Sequence, residues 1–190
     1  PDSSVNRLVL FLLLLLPITW AGALLLGSIP LSFADIGDRN SAASRLFFEL
    51  RLPRLLAAAL AGAALAMAGA VTQGLFRNPL AAPSLIGMTS GATIGAVLYI
   101  VVLGTYLPGD IGLPVAAFLG SLIVAAFAYR IATTGGQTRT SILLLSGVAL
   151  SALAMAVTGY LIFLAGDAQL RSITFWTLGS LGGAGYKEIT

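Results

Sequence analysis

The groups in this 190-residue chain that could act on another molecule are few and mostly uncharged. Thr72, Gln73, Thr89, Ser90, Thr93, Ser146, Ser151 and Thr158 set hydroxyl or amide groups within long apolar runs. Hydroxyls in a helix readily bond to their own backbone, so half or more of these are expected to be satisfied locally. The rest could line an aqueous path. A charge at mid-membrane costs about 2.5 to 3.5 kcal/mol on insertion scales, and its absence from this set argues against a proton or ion relay. The chain has no cysteine and no histidine, which removes disulfides, thiolate or imidazole metal sites, and triads built on either residue. The segment "GATIG" at 91–95 imitates a nucleophile elbow only loosely, with threonine in the serine position and no preceding strand. No catalytic residue, metal site or cofactor is expected. No G-x-x-x-x-G-K-[ST] loop is present either, so ATP hydrolysis by this polypeptide is not expected. Positive charge gathers instead at "RLPR", where Arg51 and Arg54 stand at the mouth of an alanine- and glycine-rich run. Taken alone, these two arginines read as interfacial anchors or as capping of the helix mouth.

Elements able to hold such groups follow from composition. With 58% hydrophobic residues, 9% charged residues and a mean hydropathy of +0.99, the chain belongs to the integral membrane class. A span needs about 20 apolar residues, which allows about five helices here. The expected fold is all-α, a polytopic transmembrane bundle with helices at about 8–29, 54–76, 84–103, 115–132 and 141–165 and a short interfacial helix at about 169–178. The whole of residues 1–190 is read as the N-terminal portion of one transmembrane domain. The first apolar run exceeds the roughly 7 to 15 residues of a signal-peptide core, which predicts a retained membrane helix, kinked at Pro17. Residues 41–50 have helix-compatible spacing and are expected as a short amphipathic turn at the interface. "TTGGQTRT" at 133–140 reads as a polar connection. The net charge of +3 is scattered among loops, so there is no basic patch for nucleic acid, and counting Lys and Arg leaves the orientation open.

Small residues recur at helical spacing in two runs. Ala58, Gly62, Ala66 and Ala70, with Gly69 and Gly74, form one ladder, and Gly87, Gly91 and Gly95 form another. Lipid tails are as apolar as leucine, so helices in a membrane associate by close backbone approach and dispersion, which small side chains permit. Gly62, Gly69, Gly87, Gly91 and Gly95 are therefore read as helix-packing positions, and the helix at 54–76 is expected to be surrounded by protein.

Three blocks carry a resemblance: "RLPRLLAAALAGAALAMAGAVTQGLFRNPLAAPSLIGMTSGATIGA", "TSILLLSGVALSAL" and "LRSITFWTLGSLGG". In order and spacing they resemble the permease subunits of ABC importers for iron siderophores, haem and vitamin B12. The resemblance implies a ten-helix permease of which this chain is similar to the first half, in the bacterial inner membrane, with the N-terminus inside. It implies a homodimer in membrane lipid, two cytoplasmic ATP-binding subunits and a periplasmic substrate-binding protein, with the ATPase-coupling segment lying after Thr190. Arg51 and Arg54 match paired arginines that receive acidic residues of the binding protein, a task suited to guanidinium, which stays charged and grips carboxylates through two parallel bonds. Asn78, Leu80, Thr140 and Ser141 match positions near a cytoplasmic gate. Ser146, Arg171, Phe175 and Trp176 fall in elements that line the pathway. Arg171 could meet an anionic cargo group or pair with Asp167 four residues earlier, and Phe175 and Trp176 could offer flat contact to a macrocycle or sit as ordinary interfacial aromatics. Haem is the favoured cargo, then a ferric siderophore, then cobalamin; a secondary transporter or channel subunit is the rival reading.

Overall fold

The computed structural model describes residues 3–26, 29, 41–106 and 111–182. The chain divides into two compact units, residues 1–64 with 181–190, and residues 65–180. Among the described residues, four helices are long and apolar enough to cross a membrane: Val5–Leu25, Ala42–Phe76, Gly112–Ala132 and Thr140–Leu164.

In the first unit, α1 spans Ser3–Leu25 and runs through Pro17 as one helix. It ends before the expected residue 29, with Leu26 N–H closing on Gly22 O at 2.8 Å. The next helix, α2, spans Ala42–Phe76. It starts well ahead of the expected residue 54. Ser41 caps it, its hydroxyl accepting from Ser44 N–H at 3.0 Å, and no glycine or proline interrupts 42–51. The turn expected over residues 41–50 is thus the first part of this helix. Within it, Leu46–Arg51 is π-helical. That wider turn falls just before Pro53, whose ring would press on the carbonyl four residues back and which has no N–H to give.

In the second unit α2 ends with Asn78 N–H on Gln73 O at 3.1 Å and Arg77 N–H on Gly74 O at 3.3 Å. Arg77 takes the left-handed conformation, φ 48, that such an ending usually gives to glycine. A 3₁₀ turn, Pro83–Ile86, and Gly87 at φ 85 then lead into α3, Met88–Val101. The expected helix over 84–103 is therefore shorter, because the left-handed Gly87 resets the chain before α3 starts. At 14 residues α3 is about 21 Å long, less than the roughly 30 Å of a bilayer core. A 3₁₀ turn, Leu103–Thr105, follows it. Then come α4, Gly112–Ala132, and α5, Thr140–Leu164, close to their expected bounds. Between them lies a feature absent from the sequence reading, a hairpin of β1, Thr133–Thr134, and β2, Gln137–Thr138. Gly135 and Gly136, at φ 61 and 77, supply the two left-handed residues of its tight turn. Helix α6 spans Asp167–Leu178.

Two apolar clusters organise this unit. Val97, Leu161 and Ile173 join α3, α5 and α6. Ala128, Ala132 and Leu143 join the facing ends of α4 and α5, with Phe76 and Ile86 packed against them. Glycine makes the closest approaches: a Cβ on Gly91 would lie 2.5 Å from Gly120 O, one on Gly95 would strike Ala116 O, and one on Gly147 would strike Leu85 O. Gly87 is similarly enclosed, a Cβ there meeting Val124 at 2.9 Å. Gly62 and Gly69 differ, with no atom within 4 Å of a built Cβ. The packing expected at these two positions is not made among the described residues, since no neighbouring backbone comes near their face of α2.

Candidate functional site

The mouth of α2 is held by charge-assisted hydrogen bonds. Arg51 Nη1 donates to Leu24 O at 2.7 Å and Nη2 donates to Ile29 O. The last carbonyls of a helix lack intrahelical donors and carry the negative end of its dipole, so a guanidinium there both satisfies and neutralises them. Arg51 thus caps the end of α1 while lying on the turn before Pro53. Arg54 is exposed and spends Nη2 on Gly182 O at 2.7 Å. A guanidinium has five donors in a planar fork, so among the described residues Arg54 keeps most of its capacity.

At the far end of α2 the residues expected near a gate sit in two turns. Asn78 Oδ1 accepts from Leu80 N–H at 2.9 Å, and Ala81 N–H closes on Asn78 O at 3.1 Å, so Asn78 organises the "NPL" turn through its own side chain. Leu80 is 87% exposed, a large apolar side chain without cover in the described chain. Thr140 and Ser141 open α5 and are exposed as well. The cluster around Ala132 and Leu143, with Phe76 and Ile86, ties the two turns to the same end of this unit.

Among the groups inside the spans, backbone bonding takes most. Thr72 donates to Ala68 O at 2.6 Å and Thr93 to Thr89 O at 3.0 Å. Ser146, expected along the pathway, is buried at 6% exposure and donates to Leu143 O at 2.9 Å and Ala128 O at 3.3 Å. Through these bonds it links α5 to α4, beside Gly147, which draws that stretch of α5 tightly onto the chain. Ser90 bridges to Ser151 at 2.8 Å. Beside this bridge, Ser84, Thr89, Ser90, Thr93, Met155 and Thr158 line a cleft of about 510 Å³ between α3 and α5. Hydroxyls at that spacing give it one wettable wall.

Helix α6 buries Ile173 and leaves Arg171 and Phe175 exposed, with Trp176 half-buried. Arg171 and Asp167 form no ion pair among the described residues. Gln169, at the expected start of the short helix, is central to how α6 is seated. Its Oε1 accepts from Gly166 N–H at 2.9 Å while its Nε2 donates to Ile100 O at 3.2 Å and Val101 O at 3.1 Å. Among the described residues no group of three or more His, Cys, Asp or Glu could hold a metal.

The profile of the FecCD transport family matches residues 12–190. The hemin transport system permease protein HmuU of Yersinia pestis is 40% identical over 96% of this chain and 56% of its own length. The cobalamin import system permease protein BtuC of Halobacterium salinarum is 45% identical over 74% of this chain and 37% of its own, and the vitamin B12 import system permease protein BtuC of Salmonella typhi is 40% identical over 80% and 46%. A solved structure described as a metal-chelate type ABC transporter in an inward-facing conformation superposes with a TM-score of 0.82 at 33% identity, covering 97% of this chain and 56% of that one. The chain thus spans about half the length of the relatives it matches. With a profile match across nearly the whole chain and four membrane-length helices among the described residues, this protein belongs to the FecCD transport family and is a multi-pass protein of the inner membrane.

Proposed function

We propose that the chain is part of the membrane permease of an ATP-driven importer that passes a metal chelate from a periplasmic binding protein to the cytoplasm. The observation that carries this is the likeness to a hemin permease over 96% of the chain, together with a TM-score of 0.82 to a metal-chelate transporter. The working unit is a homodimer with two cytoplasmic ATPase subunits. Haem is the favoured cargo and a ferric siderophore the next. Cobalamin is the second reading, favoured by relatives at 40 to 45% identity that are described as cobalamin or vitamin B12 permeases.

Within this reading the two arginines divide the work. Arg54, exposed with donors to spare, takes a carboxylate of the binding protein, and Arg51 fixes the end of α1 beside it. Asn78, Leu80, Thr140 and Ser141 border the cytoplasmic gate, where short polar and small apolar contacts close without strong ion pairs that would have to break. Arg171, Phe175 and Trp176 face the cargo route from α6.

The test is ATPase stimulation of the full complex reconstituted with its binding protein, comparing haem, a ferric siderophore and cobalamin. Stimulation by haem alone supports the favoured cargo, while stimulation by cobalamin alone replaces it. A full-length permease that moves none of them, with or without ATP, removes the importer reading. Arg54→Glu should weaken binding-protein docking at least tenfold at low salt, since a carboxylate placed opposite a carboxylate repels; unchanged docking removes that role.

A further inference from the structure

The amide of Gln169 closes two helix ends at once. The first N–H groups of α6 and the last C=O groups of α3 have no partners within their own helices. Oε1 accepts from Gly166 N–H, just before α6, and Nε2 donates to the carbonyls of Ile100 and Val101, the final residues of α3. Apart from this side chain, α6 has one buried residue, Ile173, set against Val97 and Leu161. Both ends of α6 are built to turn: Ala165 and Gly166 are extended at ψ 141 and 166, and Gly179 follows the helix at φ 74. Among the described residues, this rod of 12 residues thus has one buried apolar side chain and one bifunctional polar contact.

We infer that Gln169 is a positioning residue, a latch that fixes the orientation of α6 and thereby aims Arg171, Phe175 and Trp176. Its consequence for transport rests on the reading of α6 as a wall of the cargo route. Only a side chain of this length with both a donor and a strong acceptor fits: methionine offers no donor and only a weak acceptor, and an ionised glutamate offers no donor. The ionisable side chains on the elements that meet here are Tyr99 on α3, Tyr160 on α5, and Asp167 and Arg171 on α6.

The test uses the full-length protein in nanodiscs with a spin label at Ser172→Cys, an exposed position on α6. This chain contributes no native cysteine to the background. Gln169→Met should raise the mobile fraction of the label at every pH. Gln169→Glu should behave like the parent near about pH 4, where a protonated carboxyl can donate to a carbonyl of α3, and like the Met variant near about pH 8, where a carboxylate faces two carbonyl oxygens. Should Gln169→Met assemble poorly, the Glu variant supplies the comparison within one preparation. Spectra of the assembled variants that match the parent at both pH values overturn the latch. A mobile label with unchanged initial transport rate and KM keeps the latch and removes α6 from the cargo route.

Discussion

Helices α2 and α3 carry the same sequence device, a ladder of small residues, and the structure uses it in opposite ways. Along α3 the ladder is closed: Gly91 meets the Gly120 carbonyl and Gly95 the Ala116 carbonyl, so the α3 and α4 backbones touch. Along α2 it is open, with nothing within 4 Å of a Cβ built on Gly62 or Gly69 among the described residues. Instead α2 is secured at its mouth, by Arg51 on the end of α1 and Arg54 on Gly182. A ladder specifies that a backbone can approach. It does not specify which one.

The largest effect should come from filling the closed ladder. Gly95→Val puts a branched side chain where a single Cβ already strikes the Ala116 carbonyl, and both partners are main chain. A cost at or above about 3 kcal/mol is expected, read as lost folded yield and a lower thermal midpoint in detergent. A midpoint equal to the parent's would show that α3 and α4 are not held by this contact. Next is the mouth of α2: Arg51→Ala removes charged donors from two carbonyls and should cost about 1.5 to 3 kcal/mol in the same assay. Loss of that much without a change in protease sensitivity near the end of α1 would relocate its role.

Ser146→Ala should cost about 1 kcal/mol, since the hydroxyl's bonds to Ala128 and Leu143 vanish while those carbonyls keep their helical surroundings. The smallest effect falls on the open ladder. Gly62→Ala adds a methyl into empty space and removes glycine's backbone entropy, which gives a neutral result or a gain of up to about 1 kcal/mol. A clear loss of stability in the full-length protein would instead mean that the Gly62 face is covered in the assembled molecule, and would bring the two ladders back to one principle.

Much of the fold was legible because membrane helices announce themselves by length and composition: α4 and α5 fall within a few residues of their expected ends. The divergences have local causes. Helix α2 starts early because Ser41 caps it and nothing before Pro53 breaks it, while α3 is short because Gly87 adopts φ 85. The hairpin at 133–138 was concealed because "TTGGQT" is as good a polar loop as it is a tight turn. Site residues were harder to foresee. Glycine spacing marks where a backbone can come close, as it does along α3, but spacing carries no information about the neighbour, which is why it does not separate α3 from α2. Ser146 is placed along the pathway by the resemblance of its helix, and its bonds to α4 depend on neighbours that the sequence does not name. Gln169 gave no signal, since its importance lies in carbonyls 68 and 69 residues away in the chain.

The π-helical stretch Leu46–Arg51 has a consequence for how this chain tolerates changes in length. In an ordinary α-helix, deleting one residue swings everything beyond it by about 100° around the axis. A wide turn holds one residue more than it needs, so a deletion within 46–50 can be absorbed by tightening to α geometry. The arginine fork and the rest of the long helix would then keep their angular phase, making this the one place in that helix where shortening need not rotate the residues that follow.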